Sequence, residues 1–310
     1  MKNKNILRAF VALLVSFSTL FYSSISLSEE TFFKPFILAQ TIQSIDLNKT
    51  ISETKTKLSS NGFEIVGEYA PYKDTHIIII SSPKLKQYAS QSKNGIYGAI
   101  QRVSITVVDN NTQVAFTNPT YMAHVYRFKT DLADITQSLK ASLGFEKEYG
   151  SDKGLTKSDL REYQYKIFMP DFTDRLELAE YPNQQEAITN VNKALENNEG
   201  GVSKLYQVSL DGKEETIIGV KLVENNISNC SSDKFIMGEI DFKKIKSTGH
   251  LPYEIIIQNG NVYALFAEFR IAISFPDLSM IGSNSFMSIM CAPDSIQKAL
   301  TLGAGAEPDD

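Results

Sequence analysis

The sequence predicts an α+β fold of two similar halves, each with helices packed on an antiparallel sheet, and three observations carry that expectation. Two helical stretches each run into glycine, at Asn61-Gly62 and at Gly200-Gly201. Two strand-like runs follow each of them. Each half then closes on a hairpin signal, Asp109-Asn110-Asn111 in the first and Asn259-Gly260 in the second.

The chain opens differently. Lys2, Lys4 and Arg8 precede an uncharged run of 14 residues, 9–22, which is shorter than the roughly 20 a bilayer-spanning helix needs. Ser26-Leu27-Ser28 then offers small residues for cleavage before Glu29, with a second possible cut after Ala39. This pattern predicts a signal peptide over 1–28 and an exported protein, periplasmic or secreted; an uncleaved anchor is the alternative. No later run is long and apolar enough to span a membrane. The 310 residues carry 31 Lys and Arg against 36 Asp and Glu, net −5, and losing the first segment makes the remainder more acidic. A negative surface without a basic stripe argues against nucleic acid or an anionic membrane as partner. Cys230 and Cys291 are the two cysteines, read as a disulfide in an oxidising compartment, with two buried thiols as the alternative.

Residues 29–43 read as a lead-in. In 44–125, Thr50 and Glu53 fit a capping box opening a helix that stops at Gly62. Strands are expected over 63–69 and 76–81, and a hairpin over 103–117. A bridge over 126–182 holds a helix capped by Thr130, with Leu132, Ile135, Leu139 and Leu143 on one face, a loop at 150–154, and strands at 163–169 and 175–181. In 183–303, Ala187, Ile188, Val191, Ala194 and Leu195 mark a helical face. Strands are expected at 204–210 and 217–223, and a hairpin from 253–258 and 262–269; Pro293 opens a last helix, and 304–310 is a polar, flexible tail. Residues 49–66 align with 187–206 at an offset of 137 and 104–116 with 254–266 at 150, a pattern of duplication with extra residues around Cys230.

Asn61-Gly62-Phe63, the strand running into Ser82-Pro83-Lys84-Leu85, and the hairpin running into Asn118-Pro119-Thr120-Tyr121 resemble the DUF302 family. Ser81-Ser82 stands where that family more often has Gly-Asn. The resemblance covers about 44–125 and implies a compact layer of helices on an antiparallel sheet; the family has no assigned biochemistry, so it implies no catalytic residue and no cofactor.

Candidate chemistry is sparse. Glu268 and Arg270 alternate with Phe269, Ile271 and Ile273, which on a strand puts the two charges on one face. That face is either solvated or, with His250 and Tyr253, a polar floor for an anionic ligand on which Arg270 is the fork donor. Met280, Met287, Met290 and Cys291, joined by Met237 and His250, are candidate soft ligands for Cu(I) and equally good core filler. His76, His124 and His250 fit no H-E-x-x-H or H-x-x-x-H spacing, and neither a nucleophile elbow nor a phosphate loop occurs. The expectation is a non-catalytic module binding a small ligand or a protein partner between its halves, with 32 Phe and Tyr available to line a cleft. Copper handling and an enzyme of unrecognised type are the alternatives.

Overall fold

The computed structural model describes residues 30–224 and 230–308, so the proposed signal peptide and its cut after Ser28 lie outside the described residues. Among them, helices mix with antiparallel sheets in an α+β fold, and no helix is long and apolar enough to cross a membrane.

The lead-in is the first correction. After the short strand β1 (Phe32–Phe33), β2 (Phe36–Ile42) runs through the middle of a sheet, not ahead of it. Its run Phe36, Ile37, Leu38 and Ala39 is buried on both faces and shows no alternation, which is why it did not read as a strand. A cut after Ala39 would divide β2 in two.

Helix α1 (Leu47–Ser60) starts three residues before the expected capping box, because Asp46 accepts the Lys49 N–H and supplies the cap. Thr50 instead bonds back to the Asp46 carbonyl, and Gly62, at φ 81°, ends the helix as expected. Strands β3 (Glu64–Tyr69) and β4 (Thr75–Ser81) follow. Ser82 and Asn118, each before a proline, cap α2 (Pro83–Ser90) and α3 (Pro119–Val125) by accepting the N–H of Leu85 and Thr120. Between these helices, β5 (Gln101–Val108) and β6 (Asn111–Thr117) form the expected hairpin. Asp109 and Asn110 both take positive φ, the geometry a two-residue primed turn requires.

The bridge holds α4 (Ala133–Leu143), β7 (Lys147–Tyr149), β8 (Leu155–Thr156) and α5 (Lys157–Arg161). Thr130 does not cap α4: its hydroxyl is buried without a partner, and Asp131 takes the Ala133 N–H. No strand forms over 163–169. There Tyr163 and Tyr165 reach the carbonyls of Ala272 and Leu278, so their spacing of two marks a shared neighbour and not a pleat. Strand β9 (Leu176–Glu180) is where one was expected.

Then come α6 (Gln184–Glu196), β10 (Val202–Ser209), β11 (Glu215–Leu222), α7 (Asp233–Ile240), β12 (Tyr253–Gln258) and β13 (Asn261–Ala264). Asn259 and Gly260 repeat the positive-φ turn. Strand β13 is shorter than expected. Helix α8 (Ala267–Ser274) replaces the second half of that strand, so Glu268 and Arg270 are helical. It is buried on nearly every side, which erases the helical period and leaves a string that reads equally as a strand. Helix α9 (Ala292–Gly303) has the expected Pro293 in its first turn, and the tail is tied at its start, where Tyr181 donates to the Ala304 carbonyl.

The two large sheets are ordered β3-β4-β5-β6-β2-β7 and β10-β11-β12-β13-β9, all antiparallel; β1 and β8 form a separate pair. The order of elements recurs as well: strand, helix, two strands, helix, hairpin, helix. Leu47 and Gln184 begin helices 137 residues apart, and Asn111 and Asn261 strands 150 apart. Before α7, Cys230 is joined to Cys291 with Cα atoms 5.8 Å apart.

Candidate functional site

Three of the four residues expected to bind a ligand do meet, but in the interior. Arg270, on α8, donates to Glu254 Oε2 at 2.6 Å and to the carbonyls of His250 at 2.8 Å and Pro252 at 2.7 Å. Its guanidinium lies 5.0 Å from the centroid of the Tyr253 ring. His250 Nδ1 is 3.0 Å from Ser274 Oγ, and Tyr253 and Phe275 set ring edges against the imidazole. All of these side chains are buried. Glu268 is only partly buried and belongs to a different surface of α8. The fork donor expected of Arg270 is therefore present, but its acceptors are protein atoms.

Arg102 and Glu254 complete the cluster and were missed from sequence. Arg102 on β5 is ion-paired with Glu254 on β12, which joins the two sheets through one carboxylate between two guanidiniums. Their signal was a charge inside an apolar strand, Arg102 before Val103 and Glu254 before Ile255, Ile256 and Ile257. Tyr206, Gly219 and Glu254 share one row across β10, β11 and β12. A Cβ at Gly219 would stand 1.8 Å from the Tyr206 ring, so glycine lets that ring lie across β11 and bring its hydroxyl 3.5 Å from Glu254. Burial lowers the Arg102 pKa to about 10, with the Arg270 charge adding to it. Burial and the two arginines hold His250 far below its usual value, so its ring is neutral.

The expected soft-metal set is not assembled. Cys291 is spent in the disulfide, while Met280, Met287 and Met290 are 41%, 56% and 73% exposed and Met237 and His250 lie in the core. No group of three or more His, Cys, Asp or Glu among the described residues is placed to hold a metal ion. His76 pairs with Glu68 at 2.8 Å on the outside of the first sheet, and the buried His124 packs on Phe33 with Nδ1 unpartnered.

Open space lies elsewhere, on both sides of the segment after α7. A crevice of ≈ 500 Å³ is walled on one side by Lys34, β7 and residues 150–152, and on the other by 240–247 and the Phe275–Leu278 turn. A second, of ≈ 760 Å³, lies between the β3–β4 turn, β5 and α7. Asp241 and Phe242 line both, and Phe242 is 54% exposed. The polar contacts that fix this region come from the first sheet and from the loops beside it. Tyr149 donates to the Lys246 carbonyl at 2.8 Å, and Gln113 bonds the Lys244 carbonyl at 2.9 Å and the Lys246 N–H at 3.0 Å. Asp277 takes the Ser151 hydroxyl at 3.2 Å and the Asp152 N–H at 2.6 Å. Ile245 packs on Phe36, Leu38, Ala115 and Tyr149, a small apolar cluster separate from the main core.

Family models, curated proteins and solved structures gave no match. The chemistry must be read from this geometry.

Two buried acids frame α7. Asp233, at its first residue, accepts from Tyr69 and, at 3.0 Å, from the Leu222 N–H. Asp241, just past its last, accepts the Ser247 N–H through both oxygens, at 2.9 and 3.1 Å. Burial pushes both up to about 7, against the pull of those hydrogen bonds and of Arg270 for Asp233 and Lys246 for Asp241. Nothing in the local sequence separates these acids from surface ones. The crevice was illegible for a similar reason: its walls come from four stretches far apart in the chain.

Proposed function

We propose that this protein is a non-catalytic exported binding module, built from two copies of one duplicated unit, which takes a small ligand in the crevice beside Phe242. The observation that carries the reading is the crevice itself. Its volume is in the range typical of small-molecule sites, and strand β7 of the first sheet together with the segments after α7 and α8 contribute apolar and polar groups to its walls. The common strand order and the paired primed turns support duplication, and the Cys230–Cys291 bond supports an oxidising compartment. The resemblance of 44–125 to the DUF302 family is kept as part of this proposal and assigns no chemistry to it. Binding is favoured over catalysis because His250, the histidine of the converging cluster, is closed off behind Arg270 and Phe275.

Native mass spectrometry of the protein recovered from its source tests this directly. The expected result is a chain starting near Glu29, two hydrogens lighter for the disulfide, and carrying a non-covalent mass lost on denaturation. A full-length reduced chain would end the exported reading. Failure of any small molecule to shift thermal unfolding, with no retained mass, would end the binding reading.

A further inference from the structure

We infer that the crevice beside Phe242 selects an anionic amphiphile, a carboxylate head on an apolar body, an inference that rests on the binding reading above and names its ligand class. The argument is an inventory of which charges in the crevice are already committed. Asp277 is occupied by Ser151 and the Asp152 N–H, and Asp241 by the Ser247 N–H. The Asp152 carboxylate faces Lys243 at 3.4 Å, and Glu148 accepts the Lys34 N–H at 3.4 Å with Lys140 3.9 Å away. Lys34 itself is spent on the Asp152 carbonyl at 2.8 Å. Every acid in the wall thus has a partner inside the protein.

The lysines do not balance them. Lys147 and Lys244 line the crevice with no ion pair or side-chain hydrogen bond among the described residues. The uncommitted charge is positive. Behind it the surface is apolar: Phe242 stands half out of the protein at the rim, and Phe275 and Leu278 lie at the wall beneath. A carboxylate can be met by two mobile ammonium groups while its body covers Phe242, removing from water the apolar area that the protein alone leaves exposed. A cation finds every acid already engaged, and a small inorganic anion gains nothing from the aromatic wall.

The test is isothermal titration of the disulfide-intact mature chain with three probes of one body and different heads: octanoate, 1-octanol and octylammonium. Octanoate is expected to bind at least tenfold more tightly than octanol, with octylammonium weaker than both and the octanoate preference shrinking as salt is raised. The Lys147→Ala/Lys244→Ala variant, altered only at exposed side chains, is expected to lose most of that preference while binding octanol as before. Phe242→Ala is expected to weaken octanoate and octanol alike. Equal affinity for octanoate and octanol would overturn the anionic preference and leave the crevice as a neutral apolar site. Octanoate binding unchanged by both variants would place it elsewhere and overturn the inference. No binding of any of the three would overturn the inference, while the binding reading itself falls only with the retained mass and the thermal shift.

Discussion

The first sheet meets the later part of the chain in two places that handle charge in opposite ways. In the interior, Arg102, Glu254 and Arg270 are buried and contact one another, Tyr126, Tyr206, Tyr253 and backbone carbonyls. At the Phe242 crevice, lysines and acids stand around open space, and two of the lysines are left unpaired among the described residues. Burying a charge costs several kcal/mol unless it is paired, so the charges of a closed cluster are paired from within, even though Arg102 Nε, Arg270 Nε, His250 Nε2 and the Tyr253 hydroxyl are buried without a hydrogen-bond partner and out of reach of solvent. An exposed lysine meets no such demand and stays available. Perturbed, converging side chains by themselves therefore do not mark a ligand site here, and access to solvent is what separates the two places.

Glu254→Ala should give the largest effect, because it leaves two buried guanidiniums facing each other. A loss of about 3–5 kcal/mol in unfolding free energy is expected by urea denaturation. A loss under about 1 kcal/mol would show that the interior cluster is not a structural tie.

The acids at the two ends of α7 sharpen the comparison, since Asp233 belongs to the closed side and Asp241 to the crevice wall. Both have folded-state values pushed up to about 7, above the ordinary carboxyl value of about 3.9. The folded chain holds these protons more tightly than the unfolded one. Their stabilising contribution is thus complete below about pH 4 and is lost as pH rises through 7. The unfolding free energy should fall over that window by up to about 4 kcal/mol for each acid, relative to an Asp233→Asn/Asp241→Asn variant measured side by side. Parallel pH profiles for the two proteins would contradict the buried, neutral-favouring setting of both acids.

The smallest effect belongs to the crevice rim. Lys243→Ala removes the exposed pair with Asp152 and should cost less than about 0.5 kcal/mol by thermal unfolding. A cost near that of Glu254→Ala would erase the distinction between the two zones.

Local signals carried much of the fold. Gly62, Asn259-Gly260 and Pro293 each impose a backbone geometry on their own neighbours, and each lies at the boundary it predicts. Where tertiary burial decides, the local signal fades. Strand β2 and helix α8 are buried on both sides, and a uniformly apolar string records neither a period of two nor of 3.6. The site followed the same division. His250, Tyr253 and Arg270 stood out by residue type and do meet, whereas their partners Arg102 and Glu254 come from different sheets, and a pairing of that range leaves no mark on local spacing.

The place of β2 has one more consequence. It pairs with β6 along one side and with β7 along the other, Phe36 lying between Thr117 and Tyr149. A chain that lost residues 36–42 would present two facing rows of bare amide and carbonyl groups, each a template for a strand from another molecule. The segment that reads as a lead-in is thus what protects this sheet against self-association, and trimming it would turn the fold into a seed for aggregates.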